Sequence, residues 1–591
     1  MVLLAYTREI FKNNAKQSSP NSLSRIIGVA LAQGALLLLM VNQGWNAWDH
    51  HVIGLEGDSS IYLWFLSWWG HALSQGLALA HTRLISYPWG NNTLWDTSVP
   101  LIFIPLSLLY HAHIVSLELA YNIATFGGWW FSGISAYWSF SRITGHAGAS
   151  ALGSTLTLTG AYFANQALGH TDLMWVGFSF ILFAILYDFV RTPRPTRWLM
   201  LRVLPLLAGL WLTNQEYFVT TQIMVAMGLY GLVHQAIHRR RRWPEVTRVL
   251  KSYAKTLLAG ATLLLPLVLW QLCTPNQPFR PFSYINVYQI NLANFLVPVH
   301  TWLHWGAHVS LTGNVMEQDG YLGLIFLAGL AWFSLLTYRR WQAEHGGVLV
   351  WTGAIILLAM GDSLLISAHA NSGIPLPGVI LSVVPILKDI IFDRFMWGAF
   401  WGIGLLSALV FIRLQSIKSR ILFAAWAALV VMTWWPRGYP VLTLRANPWI
   451  TSMVETHAIK PGEAVLVFPY DCLYNPNNNV LYTQIANHFR YRLLGGYLTP
   501  NDADLQHENA LITYWTSVQL YGPNSTAARW YGSLGPGPRV LFKQYLTKAR
   551  PQLVVLTAMA HEIAMEQWLT STLGPPSGQS GSTFYWNRPR E

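Results

Sequence analysis

Charge is what this chain lacks. Only 10% of its 591 residues are Asp, Glu, Lys or Arg, against about 25% in ordinary soluble domains. The shortfall runs along most of the sequence, which excludes a water-soluble protein for most of its length. Cysteine is nearly absent as well: Cys273 and Cys472 are the two present. Their separation permits a disulfide, but two cysteines imply no disulfide framework. The sequence holds no Gly-rich phosphate loop and no nucleophile elbow. The segment from Thr7 to Arg25 is polar, and the apolar run after it has no small-residue cleavage site. That run reads as a retained span and not as a cleaved signal.

What is abundant is apolar and aromatic. Hydrophobic residues make up 53% of the chain, and there are 30 Trp. Trp rings gather where membrane meets water. The net charge of +12 fits Lys and Arg in cytoplasmic loops and near anionic headgroups. No nucleic-acid motif accompanies it, so nucleic acid is set aside as a partner.

A membrane helix needs roughly 20 mostly apolar residues. Ile26–Val41 with its flanks qualifies. Further candidate spans lie near 99–114, 119–141, 149–167, 172–190, 199–213, 217–236, 255–272, 321–337, 347–367, 396–412 and 420–435. Arg8, Lys12, Lys16 and Arg25 precede the first span and place the N-terminus in the cytoplasm. The same rule puts Arg191–Arg197, Arg239–Arg242, Arg339-Arg340 and Arg413–Arg420 inside. The segments 45–98, 165–172, 214–217, 273–320 and 368–395 then lie outside, with the tail after about 437. Alternation breaks if 99–114 and 119–141 both cross fully. Either one is re-entrant or Ile61–Leu73 also crosses, giving 11–13 spans.

After Trp435 the character changes. Pro, Asn and Gly clusters separate β-like runs at Ala464–Phe468 and Leu553–Thr557, with a helix-like stretch at Ala510–Leu520. Residues 437–591 therefore read as a soluble extracytoplasmic α/β domain of ordinary size. Residues 1–436 read as the membrane domain, with a first outer loop at 45–98.

That loop carries Asp49, Glu56 and Asp58 in a Trp-rich, weakly charged setting. Desolvation there raises a carboxylate's pKa and suits it to accept a proton. Gly57-Asp58-Ser59-Ser60 also has the form of a helix start, so Asp58 is equally expected at an N-cap. More polar residues fall on the same expected side: His170 and Asp172, Glu216, Glu317 and Asp319 ahead of Tyr321, and Lys388, Asp389, Asp393 and Arg394. In so uncharged a chain, acids and bases gathered at one membrane face suggest a site there. Basic residues at that face are few: Arg83, Arg280, Lys388 and Arg394. An anionic phosphate gives them one reason to be there. An ion pair of Arg394 with Asp393 or Asp389 gives another. His300, His304 and His308 recur every four residues and would share one face of a helix. No acid sits between them, so they read as an interfacial face and not as a zinc site. Gly361-Asp-Ser363 repeats the triplet Gly57-Asp-Ser59 inside a candidate span.

Several short stretches carry a resemblance. They are Gly57–Ala72, Tyr87-Pro-Trp-Gly-Asn-Asn-Thr93, Gly169-His170, Glu317 with Tyr321-Leu-Gly323, Arg394-Phe395 and Arg492-Leu-Leu-Gly-Gly-Tyr497. Their order and spacing resemble the GT-C superfamily of membrane glycosyltransferases, which use polyprenyl-phosphate-linked sugars. Within that class the chain resembles a bacterial group of large membrane proteins. The resemblance implies a multi-pass enzyme of the bacterial inner membrane, serving the cell envelope. It maps the catalytic carboxylate onto Asp58. Many members pair two acids there; this loop has no adjacent pair, and Glu56 or Asp49 is the remaining candidate. The expected reaction moves a sugar from the lipid phosphate to an acceptor hydroxyl on a glycan, lipid or protein, with inversion. No cofactor is specified; divalent metals serve some relatives. His170, Asp172, Glu216, Glu317, Tyr321, Lys388, Arg394 and Arg83 are expected around the substrate. Two other readings are a secondary transporter or flippase, for which Asp362 is the best feature, and a non-catalytic glycan-binding scaffold. The absence of an internal repeat and of midplane polar residues disfavours transport.

Overall fold

The computed structural model describes residues 23–238, 243–275, 287–303, 305–306, 308–341, 343–384, 387–472, 478–497, 506–533 and 537–587. Arg8, Lys12, Lys16, Arg239–Arg242, Arg280 and His304 lie outside them. Each of the twelve apolar stretches contains a helix. Six helices among the described residues are long and apolar enough to cross a membrane: Leu23–Val41, Asp172–Arg191, Gln215–Ile237, Trp243–Cys273, Phe392–Arg413 and Ile417–Trp434. Pro100–His111 and His345–Ala359 are shorter apolar helices. The chain is a multi-pass membrane protein. It divides into two compact units.

The first unit comprises Met1–Trp45, Asn122–Leu265 and Phe282–Pro440. At its centre is the helix Met396–Arg413, buried over almost its whole length. A helix apolar all round must be covered on every side. It packs against Ala147–Leu158 and Ala343–Ala359. Backbones touch where Gly153 faces Gly404. A Cβ on Gly153 would come within 2.4 Å of the Gly404 carbonyl oxygen. Thr157 fixes the crossing by donating its hydroxyl to the Phe400 carbonyl at 3.2 Å. Small residues and hydroxyls at crossings are how helices associate without a hydrophobic drive between them.

Two expectations fail in this unit. The stretch 347–367 is not one span. Its helix ends at Ala359, and Ser363–Ser367 pairs antiparallel with Ala370–Pro375. Gly361, at a φ of 82°, turns the chain out of the helix; this left-handed backbone is open mainly to Gly. Nor is 300–308 a helix: Thr301 forms an isolated bridge with Pro436. His300 and His308 therefore share no helical face.

The second unit comprises Asn46–Tyr121, Pro266–Pro281 and Val441–Glu591. Its five-stranded sheet runs in the order Gly578–Ser580, Thr583–Asn587, Leu553–Leu556, Ala464–Phe468, Arg492–Leu493. The last three are parallel, and the first two join antiparallel. Ala464–Phe468 and Leu553–Leu556 are buried at every residue, as expected of strands covered on both faces. Trp515 from the helix Gln506–Tyr521 fills the core against Phe468, Phe542 and Trp568.

The first loop is built into this unit. Ser59–Gln75 is one helix with most of its side chains buried, packed on Pro100–His111 and Asn478–Ala486. Trp64 donates its indole N–H to Gln484 Oε1 at 2.8 Å. Gln484 in turn donates to the Leu84 carbonyl at 2.7 Å. Val52-Ile53 pairs with Val441-Leu442. Residues 84–87 exchange backbone hydrogen bonds with 493–495. Cys273 is exposed and Cys472 buried, and neither is in a disulfide.

Candidate active site

The polar residues expected around a substrate fall into two sets, one in each unit. The first set is buried and closed. Phe392–Phe395 is a 3-10 turn at the start of the central helix, and Arg394 projects from it. Its Nη1 donates to Glu216 Oε2 at 2.7 Å, and its Nη2 donates to Glu317 Oε1 at 2.8 Å. The Glu216 carboxylate also accepts the Ile391 N–H at 2.9 Å. Asn314 caps the turn Val315–Glu317 and so fixes the direction of Glu317. Gln166 donates to Glu317 Oε2 at 2.9 Å and to Asp319 Oδ2 at 2.6 Å. His170 Nδ1 lies 3.7 Å from Glu317 Oε1. Asn214 donates to Asp172 Oδ2 at 2.6 Å and accepts the Tyr217 N–H through its own oxygen at 3.0 Å. Tyr321 is buried next to this set, and Leu322 and Gly323 both donate to the Phe295 carbonyl.

Among the described side chains, Arg394 is bonded to Glu216 and Glu317, not to the Asp393 beside it in sequence; the Asp389 side chain lies outside the described ones. Neighbouring side chains on a 3-10 turn diverge by about a third of a turn. Side chains from other segments therefore meet the guanidinium first. Asp393 is fully buried, and neither of its oxygens has a hydrogen-bond partner among the described residues.

Five buried carboxylates, Asp172, Glu216, Glu317, Asp319 and Asp393, surround one guanidinium and one imidazole. Their surroundings push them in opposite directions. Burial pushes the Glu317 carboxyl up, but Arg394 and then His170 outweigh it and hold the group well below the usual range. Burial pushes Asp319 up, and the neighbouring Glu317 charge pushes it further. Two carboxylates bonded by one glutamine are thus shifted in opposite directions.

The second set is in the other unit and is open. The helix Ser59–Gln75 begins where Gly57-Asp58-Ser59-Ser60 says it should, with Asp58 in the N-cap position. The Asp58 side chain makes no cap hydrogen bond. It is half-buried, and Glu56 is exposed. Asp49 accepts the Ser116 hydroxyl at 3.0 Å and lies 3.6 Å from His50. Arg83 is exposed, as is Lys388 in the first unit. Among the described residues no three His, Cys, Asp or Glu side chains are arranged to hold a metal ion.

Sequence reasoning missed Gln166, the hub between Glu317 and Asp319. It lies at the end of an apolar stretch, where a polar side chain is a signal of its own. It also passed over Glu118, which accepts the Tyr482 hydroxyl at 3.3 Å.

No family model and no curated protein matches the chain. Solved structures do. The chain is similar to the arabinofuranosyltransferase AftD from Mycobacteria, with a TM-score of 0.55 and 12% identity over 97% of this chain and 40% of that one. It also aligns with the oligosaccharyltransferase AglB from Archaeoglobus fulgidus in complex with an inhibitory peptide and a dolichol-phosphate. That alignment has a TM-score of 0.49 and 11% identity, over 90% of this chain and 69% of that one. ArnT from Cupriavidus metallidurans, bound to undecaprenyl phosphate, aligns with a TM-score of 0.43 and 10% identity over 95% and 97% of the two chains. At this identity the AftD likeness establishes architecture, and the resemblance read from the motifs is borne out at that level: the chain has the fold of a GT-C membrane glycosyltransferase.

Proposed function

We propose that the chain is an inverting glycosyltransferase. It moves a sugar from a polyprenyl-phosphate donor to an acceptor hydroxyl at the outer face of a bacterial inner membrane, with its N-terminus in the cytoplasm. The observation that carries this reading is a GT-C fold spanning 97% of the chain together with an acid, Asp58, set at the start of a rigid buried helix.

Asp58 acts as general base. It takes the proton of the acceptor hydroxyl as that oxygen attacks the anomeric carbon from the face opposite the lipid phosphate. The phosphate departs as an anion, so no strong acid is needed to protonate it, unlike glycoside hydrolysis. The helix that follows, held on three sides by its own unit, fixes the backbone that carries the carboxylate. Arg394 has both terminal nitrogens engaged by glutamates; its part is to order Glu216, Glu317 and the turns that bear them. Lys388 and Arg83, one in each unit, are exposed, and exposed cations suit a phosphate. Asp49 and Glu56 are the reserve acids of the same loop, and His170, Asp172 and Tyr321 belong to the buried set of the first unit.

The test is transfer from a panel of polyprenyl-phosphate sugars in proteoliposomes, with product mass identifying the acceptor as glycan, lipid or protein. Asp58→Asn should lower turnover by about 10²–10⁴-fold, the usual contribution of a general base. Its melting should match wild type. Full transfer by folded Asp58→Asn would show that another group takes the proton.

A further inference from the structure

Between the apolar helix ending at Ala359 and the span starting at Phe392, the chain does something that neither a span nor an aqueous loop does. Residues 363–384 contain no Asp, Glu, Lys or Arg. They form the hairpin Ser363–Ser367/Ala370–Pro375 and the short helix Gly378–Ser382. Six of their aliphatic side chains point away from the protein: Ile366, Ile374, Val379, Ile380 and Val384 are exposed, and Val383 reaches 74%, while Leu365 and Leu381 are buried.

The polar backbone, by contrast, is tied inward. Ala368 N–H donates to the Ser310 carbonyl at 2.9 Å, and Gln289 donates its side-chain N–H to the Ser363 carbonyl at 3.0 Å. Leu376 N–H donates to Asp362 at 2.8 Å and Gly378 N–H to Gly361 at 3.1 Å. A Cβ on Gly378 would stand 2.1 Å from the Gly361 oxygen, so the short helix is pressed onto the helix end. The segment is a fixed bracket with its apolar side chains outward.

Its depth follows from its neighbours. Ser310 belongs to the loop that carries Trp302 and Trp305, both about half exposed. That loop is fastened to the end of the span Ile417–Trp434: Trp302 N–H donates to the Trp435 carbonyl at 3.1 Å, and its indole N–H to Met432. The bracket is thus at the level where that span leaves the membrane, beside exposed Trp rings of the kind that mark this level. It is too short to cross: a spanning strand needs roughly 9–11 residues, and these have 5 and 6. Irregular backbone facing lipid is not tolerated in the hydrocarbon core. The exposed Lys388 follows directly, a cation at the height of the phosphates.

We propose that residues 363–384 are an interfacial anchor. The bracket lies in the leaflet at the Trp434 end of the span, with its aliphatic side chains among the upper acyl chains.

The experiment places single cysteines at Ile374, Ile380 and, as a control on the α/β sheet unit, exposed Ser533. The background is Cys273→Ser; buried Cys472 is left in place. Each is labelled with an environment-sensitive fluorophore in the full-length protein, in nanodiscs of phosphatidylethanolamine and phosphatidylglycerol. Quenching is compared between aqueous iodide and a lipid carrying a nitroxide near its headgroup. The anchor predicts a roughly twofold loss with the shallow nitroxide lipid at Ile374 and Ile380, given a depth of about 5–10 Å. Little iodide quenching is expected at those two sites, and the reverse at Ser533. Iodide quenching at all three sites would overturn the proposal. Resistance of Ile374 and Ile380 to both quenchers would also overturn it, because protein would then cover the face.

Discussion

Glu317 and Asp58 are both acids picked out from segments that the sequence leads one to expect outside the membrane, yet their surroundings are opposite. Glu317 is buried, bonded by Arg394 and Gln166, and kept ionised by what surrounds it. Asp58 is half-buried at a helix start whose backbone it does not cap. The first carboxylate is committed to holding three segments together. The second stays partly open to solvent within its own unit. In a chain with few charges, being polar does not separate architecture from chemistry; how deeply each acid is buried does.

The sharpest way to break this contrast is Arg394→Met. It leaves Glu216 and Glu317 buried without a counter-charge, which typically costs about 3–5 kcal/mol. Thermal unfolding in detergent should show a large drop in midpoint or no folded protein. A variant that melts like wild type would mean the network is not structural. Glu317→Gln is milder, because an amide keeps some hydrogen bonds. Loss of a charge-assisted bond predicts about 1.5–3 kcal/mol on the same measurement. Lys388→Ala should spare stability to within about 0.5 kcal/mol. It should raise KM for the lipid-phosphate donor roughly tenfold, the equivalent of one such contact. An unchanged KM would remove Lys388 from the site.

The smallest effect concerns pH. Asp319 has its folded pKa raised by burial and by Glu317. Its neutral form stabilises the fold below the unfolded pKa, and that contribution is lost as pH rises toward the folded value. Glu317 runs the other way: its depressed pKa gives stability above the unfolded value that is lost as pH falls. Asp319→Asn removes the first slope and keeps the second. Its melting midpoint should gain on wild type as pH is raised from acid to neutral. Parallel curves would show that Asp319 does not titrate with folding.

Hydropathy located the membrane helices because lipid allows few alternatives: a segment without charge must satisfy its backbone internally. The α/β strands at 464–468 and 553–556 were legible for a related reason, as short apolar runs between Gly and Pro clusters. The hairpin at 363–375 was not. Its residues are as apolar as those of a span, and hydropathy alone cannot distinguish a helix that continues from one that turns back at Gly361. The helix Ser59–Gln75 posed the same difficulty, since burial in protein and burial in lipid select similar residues. The partners of Arg394 lie 178 and 77 positions away, beyond the reach of any local pattern. The acids at 172, 216, 317 and 393 stood out in so uncharged a chain; which of them would be tied down did not.

The pairing of the first loop with the C-terminal segment has a consequence for biosynthesis. Trp64 and Gln484, hydrogen-bonded in the folded unit, are 420 residues apart. At about 5–20 residues per second, the ribosome needs roughly 20–80 s to deliver the second after the first. During that interval the helix Ser59–Gln75 has emerged with Trp64 and Trp68 lacking their partners Gln484 and Phe489, next to a membrane able to absorb them. A chain interrupted before Gln484 would leave those two rings permanently without them. The early loop thus depends on the last part of the message, and its safe maturation calls for a holding factor or for temporary shelter in the lipid surface.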